Sequence, residues 1–365
     1  MPRRVLINAI SLWHGGSSRN YTRNLLREVD RDSRGYEFAV VAPKGELTRE
    51  EVGRNELIEV RFPPFARGFW RLIWEQCVLP LRARRFDLLY CTSDVLPVWS
   101  PTPTVVALRN LNVYDRRFYD DLRTRLMFWI AKLGVRRAAG VVTPSEHSAD
   151  IIARLLPMER ERLRVVPHGI SSEAFEQTSI AAPVSEPYVF LPANLERHKN
   201  IGVIIESLAL LEEEKIELVV AGGNDLDPAH SEELLQRARA LGVAERVHFV
   251  SHVPYEEILS YFRGATAFVF PSLLESFGHP LLEAMLAGTP VIASDLPVFH
   301  SIAGEAALYF SADDARGLAE AIRAVQLHPE EAAERVRLGH RRAEEFSWGN
   351  SIDRLCAVFD EVLQP

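Results

Sequence analysis

Short apolar runs alternate along the whole chain with segments of helical spacing. In the first half the runs are Val5–Ala9, Glu37–Ala42, Leu88–Cys91, Thr104–Leu108, Gly140–Thr143 and Arg164–Val166, each bounded by Pro, Asp or Gly. Runs of this length between turn residues predict strands. Tyr21–Val29 places Leu25, Leu26 and Val29 on one face, which predicts a helix. The rhythm resumes with Tyr188–Leu191, Leu218–Ala221, Val247–Val250, Ala267–Phe270, Pro290–Ala293 and Ala307–Phe310 as strands. Helices are expected at Gly202–Glu213, Ser231–Leu241, Tyr255–Phe262, Pro280–Ala287 and Ala315–Val325. Alternation of this kind predicts an α/β chain built on parallel sheets with helices on both faces.

Between the two series, roughly Ser171–Pro187, the sequence has no period and reads as a linker. The expected organisation is therefore a Rossmann-like domain at 1–172, a linker at 173–187, a second Rossmann-like domain at 188–345, and a C-terminal helix at 346–365 packing back toward the first domain. A length of 365 residues suits two such domains. Doubly wound sheets bind ligands at the carboxyl ends of their strands, so a cleft between the domains is expected to hold substrate.

Composition narrows the class. No apolar run approaches the ~18 residues of a membrane span, and the basic start MPRRVLINAI reads as a first strand, not a signal peptide. Cys77, Cys91 and Cys356 lie at no metal-ligand spacing and are expected to be buried thiols in a reducing, cytoplasmic setting. The net charge of −8 is split: residues 1–170 hold 28 basic and 19 acidic side chains, and the remainder 14 and 31. A basic first half fits an anionic partner, either the inner membrane face or a phosphate-bearing acceptor. Phe65–Arg85 and Arg116–Arg137, which mix Arg with Phe, Trp, Leu and Met, are candidates for that surface. The basic residues form no nucleic-acid-binding module.

Chemistry concentrates at Phe270–Pro290, FPSLLESFGHPLLEAMLAGTP. A buried strand runs into a loop, and Pro280 suits the first turn of the next helix. Backbone amides of Phe277, Gly278 and His279 then make an anion site that glycine lets a phosphate approach closely. Glu275 precedes the helix, and Glu283 is expected in its first turn or so, where the dipole favours carboxylates. Carboxylates beside a phosphate repel it, so they serve another purpose, and accepting hydrogen bonds from sugar hydroxyls is the natural one. Upstream, the loop LPANLERHKN offers cations for a diphosphate.

These strings resemble the E-x7-E region and its flanks in retaining glycosyltransferases of GT-B architecture, family four. HFVSHVPYEEILSYFRGATAFVFPS, GTPVIASDLPVFHSIAGEAALYF, VVTPSEHSADII and VVPHGI extend the likeness over most of the chain. The resemblance implies that Glu283 binds the nucleotide ribose and Glu275 the transferred sugar. Phe277, Gly278 and His279 would hold the diphosphate, and Val253 would lie beside the base. Lys199 matches the family's phosphate-loop lysine. Asn194 stands where many members carry arginine, which leaves Arg197 or His198 as the second cation. Gly15 and Gly16 resemble the family's glycine loop at donor phosphate and acceptor, and their spacing is not that of a dinucleotide fingerprint.

One departure stands out. Many members end the Thr104–Leu111 strand in His-Asp, and this chain has Arg109-Asn110. A guanidinium has no lone pair with which to accept a proton. Arg109 suits an anionic group and Asn110 a hydroxyl, with His14 as a substitute contact. The resemblance implies retention of configuration, with attack from the face the nucleoside diphosphate leaves and the leaving phosphate taking the acceptor proton. It also implies a UDP- or GDP-linked hexose donor and a glycan, lipid-linked or polysaccharide acceptor. No Asp-rich metal motif is present, so neither cofactor nor divalent ion is expected. The rival readings are a non-catalytic nucleotide-sugar-binding module, for which the missing histidine argues, and an epimerase or phosphorylase on the same architecture.

Overall fold

The computed structural model describes the chain except residues 1, 15, 64–66, 112–113, 116, 118–121, 172–186, 224–226, 252 and 365. It divides into two compact units, 1–169 with 348–365, and 170–347. The linker expected at 173–187 lies almost wholly outside the described residues, as does Gly15.

Unit 1 is a seven-stranded parallel sheet in the order β3-β2-β1-β4-β5-β6-β7. Its strands are β1 (Arg3–Asn8), β2 (Tyr36–Pro43), β3 (Glu56–Val60), β4 (Leu88–Cys91), β5 (Thr104–Ala107), β6 (Gly140–Thr143) and β7 (Leu163–Val165). Unit 2 has six parallel strands in the order β10-β9-β8-β11-β12-β13. These are β8 (Tyr188–Pro192), β9 (Glu217–Ala221), β10 (Val247–Val250), β11 (Ala267–Phe270), β12 (Val291–Ser294) and β13 (Ala307–Phe310). β4, β5, β11 and β12 are buried at every residue, as strands covered on both faces must be. In each sheet the chain winds one way and then returns to wind the other. The switch points fall between β1 and β4 and between β8 and β11, and such sheets bind ligands above these points.

Helix Trp348–Leu363 belongs to unit 1 and starts two residues later than the boundary set at 346. Its Ile352, Leu355 and Phe359 enter the same core as Leu25, Tyr36 and Tyr90. Each such side chain contributes about 1.5–3 kcal/mol by leaving water.

Three expectations need correction. The helix placed at Gly202–Glu213 spans only Ile201–Leu208. Glu212, Glu213 and Glu214 would load negative charge onto a helix C-terminus, which opposes the dipole. Arg246 instead takes the carbonyls of Leu208 and Leu211, at 3.0 and 2.8 Å, and so ends the helix where it does. Cys77 is exposed, not buried, because it sits on the wide turn Trp74–Val78, whose inward position is taken by Glu75. The third concerns Glu283, described below.

At the end of β1, Asn8 Nδ2 donates to Glu75 Oε1 at 3.0 Å, and Glu75 pairs with Arg71 at 3.0 Å. All three residues are buried. This ionic network fixes the carboxyl end of β1 against helix Arg67–Ile73 and the turn that follows it.

Candidate functional site

Backbone ties between loops place the unit 2 site. After β8 the chain makes one tight turn, Arg197–Lys199, and reverses at Asn200, which adopts φ 54°, ψ 40°. Asparagine tolerates that left-handed region better than most residues. Its Nδ2 donates to the carbonyls of Pro271 (3.2 Å) and Ala312 (2.7 Å), and Leu273 N–H donates to His198 O at 2.8 Å. The loop after β8 is thereby tied to the loops after β11 and β13.

Across the β8–β11 switch point, Lys199 Nζ donates to Glu275 Oε1 at 2.6 Å. The two side chains are 18% and 14% exposed, so solvent screens the pair only in part. Ser272 Oγ donates to the same carboxylate oxygen at 3.0 Å. The Ser272 carbonyl is itself held by Ser294 Oγ at 2.6 Å. Lys199 Nζ also lies 5.5 Å from the ring centroid of Phe270, within cation–π range. Ser272, Ser294 and Asn200 lie inside the quoted strings, but their spacing assigns them no role. They act through contacts that only the fold creates.

Gly278 begins the next helix, His279–Ala287, at φ 95°, ψ 49°. Pro280 occupies its first turn, and Gly288 closes it at φ 77° with its N–H bonded to the Ala284 and Met285 carbonyls. Glu283 is the fifth residue of this helix, past the first turn. The dipole is thus not what favours its carboxylate, because that effect fades within one turn. Its partner is His279, whose Nδ1 lies 3.3 Å from Glu283 Oε1. Phe277 and Val253 are buried in the unit 2 core.

Arg197 and His198, the candidates for the second cation, both have partners within the protein. Arg197 forks onto Glu233 at 2.9 and 3.0 Å, with Asp227 at 3.2 Å. His198 is buried, and desolvation followed by the neighbouring Lys199 charge lowers its pKa to about 3, so the ring is neutral at pH 7. Asn194 is exposed, and its Oδ1 accepts from Gly223 N–H at 3.2 Å. A Cβ on the adjacent Gly222 would lie 2.2 Å from the Ala193 carbonyl oxygen, so only glycine lets the loops after β8 and β9 meet. Among the described residues, no group of three or more His, Cys, Asp or Glu is placed to hold a metal ion.

In unit 1, Arg109 and Asn110 follow β5. Their backbone N–H groups both donate to Asp94 Oδ1, at 2.9 and 3.1 Å. Burial raises the Asp94 pKa, and the Asn110 amide and the Arg109 charge oppose that rise. Arg109 Nε donates to Thr92 O at 2.7 Å, and the guanidinium lies 3.9 Å from the ring centroid of Tyr21. Tyr21 and Tyr90 share a 2.6 Å hydroxyl contact. Burial pushes both phenol pKa values up. Gly16 opens helix Gly16–Arg31, and His14 ends the turn before it.

Two parallel α/β units with these switch-point loops define a GT-B glycosyltransferase architecture. Residues 172–341 match the family profile of glycosyl transferases group 1, and residues 15–174 that of glycosyltransferase family 4. The chain belongs to the group 1, family 4 glycosyltransferases.

It is similar to the O-antigen chain mannosyltransferase RfbU of Salmonella typhimurium, 30% identical over 62% of this chain and 64% of that protein. It is 28% identical to a D-inositol 3-phosphate glycosyltransferase of Streptomyces avermitilis over 63% and 53% of the two chains. The chain thus spans between half and two thirds of the length of these curated relatives. Among solved structures, sucrose-phosphate synthase from Thermosynechococcus elongatus superposes with a TM-score of 0.79 at 19% identity, over 99% of both chains. Anabaena HepE, in complex with UDP and glucose, gives 0.78 at 15% identity over 98% of this chain and 100% of that one.

Proposed function

We propose that this chain is a retaining glycosyltransferase that moves a hexose from a UDP- or GDP-linked donor to a glycan, lipid-linked or polysaccharide acceptor. The observation that carries the proposal is the Lys199–Glu275 pair, 2.6 Å apart above the β8–β11 switch point. A nucleotide-sugar presents a diphosphate and two sets of sugar hydroxyls, and this pair offers a cation beside a fixed hydrogen-bond acceptor. Lys199 stabilises the charge that develops on the departing diphosphate. Glu275 orients the hexose and Glu283 the ribose. The acceptor attacks from the face the diphosphate leaves, and the phosphate takes its proton, so no divalent ion takes part. The UDP and glucose bound by HepE support the donor class, and the O-antigen role of RfbU supports a polysaccharide product.

The proposed setting is the cytoplasmic membrane face. Helix Leu122–Gly134 exposes Leu122, Leu126, Trp129 and Leu133, at 84%, 47%, 53% and 43%. Their spacing makes one apolar stripe, and Lys132 lies beside Trp129 at 4.9 Å. Among the described residues no helix is long and apolar enough to cross a membrane.

A thermal-shift screen against UDP- and GDP-sugars tests the donor assignment. A ligand at about 100 times its Kd adds about 2.7 kcal/mol to stability, which is easily resolved. The correct donor should raise Tm in the native chain and raise it clearly less in Lys199→Ala. Turnover should persist in EDTA. No shift with any nucleotide-sugar would overturn the assignment, and binding without transfer or donor hydrolysis would favour the non-catalytic reading that Arg109-Asn110 motivates.

A further inference from the structure

Unit 1 is rich in arginine, and its partly buried arginines are mostly matched to acids. Arg19 pairs with Glu46, Arg34 with Glu28 and Asp353, and Arg71 with Glu75. Arg109 differs. One edge of its guanidinium is spent on the Thr92 carbonyl and one face on the Tyr21 ring. Among the described residues, neither Nη has a hydrogen-bond partner, and no carboxylate lies within ion-pair range of the guanidinium. Asp94, whose carboxyl the Arg109 charge influences, is occupied by the backbone amides of Arg109 and Asn110.

The support beneath this fork is rigid. Tyr21 is buried and bonded to Tyr90 of β4, and it also meets the ring of His168 at 5.1 Å. Thr92 donates through Oγ1 to the Asn8 carbonyl at 2.9 Å, which ties the ends of β1 and β4 together. Arg109 therefore stands over the carboxyl ends of the central strands, beside the switch point of the unit 1 sheet. A planar fork with a fixed edge, a stacked face and two nitrogens without a partner among the described residues is preorganised for bidentate capture of a carboxylate or phosphate. Its ordering cost is met by the protein before the ligand arrives.

We infer that Arg109, clamped between Thr92 and Tyr21, is the anion anchor of unit 1 and holds a carboxylate or phosphate carried by the acceptor. The inference rests on the glycosyltransferase reading and narrows its acceptor class to negatively charged sugars or sugar phosphates. Lys199 and the Gly278 turn of unit 2 already offer the donor diphosphate a cation and backbone amides, with the unit 1 glycine loop at Gly16 expected at both substrates, and the unit 1 fork is assigned to the acceptor.

The experiment is titration calorimetry on the full chain with glucose, glucuronate and glucose 6-phosphate as probes, each with and without UDP and GDP. In the native chain at least one charged sugar should bind ten or more times more tightly than glucose. Arg109→Gln should remove that preference and leave nucleotide affinity unchanged. Arg109→Lys, which keeps the charge and loses the fork, should recover only part of it, and it guards against a folding defect in the glutamine variant. Equal binding of charged and neutral sugars would overturn the inference. A charge preference that survives Arg109→Gln would do the same. A fall in nucleotide affinity on Arg109→Gln would assign the fork to the donor diphosphate and so refute the acceptor role. Failure of the native chain to bind any nucleotide would strike the glycosyltransferase reading, which separates the two cases.

Discussion

Lys199 Nζ and Glu275 Oε1 stand 2.6 Å apart, in loops that leave adjacent strands, β8 and β11, on the two sides of the unit 2 switch point. The ion pair is a resting arrangement that a diphosphate must rearrange, since Lys199 cannot serve both partners at full strength. Lys199→Ala should therefore cost transfer more than binding. Loss of one electrostatic stabiliser typically lowers kcat by about 10²–10³, and the missing charge-assisted bond should weaken UDP or GDP binding by about tenfold. Glu275→Gln should leave nucleotide affinity within a few-fold and depress kcat with the sugar donor. Steady-state kinetics and calorimetry on both variants check this, and equal losses in kcat/KM and nucleotide affinity for Glu275→Gln would place the carboxylate on the nucleotide instead.

Acid should destabilise unit 2 through His198. Its ring is held neutral when folded, with a pKa lowered from 6.5 to about 3 by burial and by Lys199. In the unfolded chain it protonates near its ordinary value. Between those two values the unfolded state binds more protons, so stability rises with pH through this window and is lost as pH falls through it. The slope from this one residue approaches about 1.4 kcal/mol per pH unit. Urea unfolding at pH 7 and pH 5 should show a smaller loss in His198→Gln than in the native chain. Parallel losses in the two proteins would remove His198 as the cause.

Gly278 lies at φ 95°, and a Cβ there would come within 3.0 Å of the Phe299 ring. Gly278→Ala should cost about 1–3 kcal/mol from left-handed strain and crowding together. Because the residue sets the entry of helix His279–Ala287, nucleotide affinity should fall with stability. Thermal melts with and without UDP or GDP report both effects. An unchanged melt would mean the loop relaxes without strain.

The fold was legible where burial is two-sided. Stretches such as Thr104–Ala107 and Ala267–Phe270 are apolar or nearly so throughout because helices cover both faces. β3 was missed because Glu56–Val60 is an edge strand, with charged residues at both Glu56 and Glu59 and only Val60 buried. Helix Pro329–Glu344 was missed because few of its residues are buried, and those that are, such as Gly339 and Ala343, are small. At the site, Lys199, Glu275 and the Gly278 turn stand within recognisable strings. The contacts that hold them in place are not written there. Asn200 reaches Ala312, Ser272 reaches Glu275 only because its loop curls back, and Asp94 gathers the amides of Arg109 and Asn110. Such partners are set by sheet order, which spacing along the chain does not encode. The same holds for Arg197, whose pairing with Glu233 and Asp227 its place in a basic loop does not reveal.

The stripe on helix Leu122–Gly134 leads to a test of membrane attachment. Leu126 and Trp129 are 47% and 53% exposed on one face. Phe69 and Trp70, on helix Arg67–Ile73 of the same unit, are 60% and 37% exposed. Water is a poor setting for an exposed apolar stripe, and an interfacial site is a good one for tryptophan beside lysine. Vesicles containing anionic lipid should pellet the native chain, and high salt should weaken but not abolish the attachment, because the apolar part is not screened. Leu126→Ser with Trp129→Ser should reduce the bound fraction severalfold, since each large side chain contributes about 1.5–3 kcal/mol when fully buried. The variant's residual binding should then be more salt-sensitive than that of the native chain. Equal pelleting with purely zwitterionic vesicles would remove the charged component, and unchanged binding of the double variant would place the membrane contact elsewhere on unit 1.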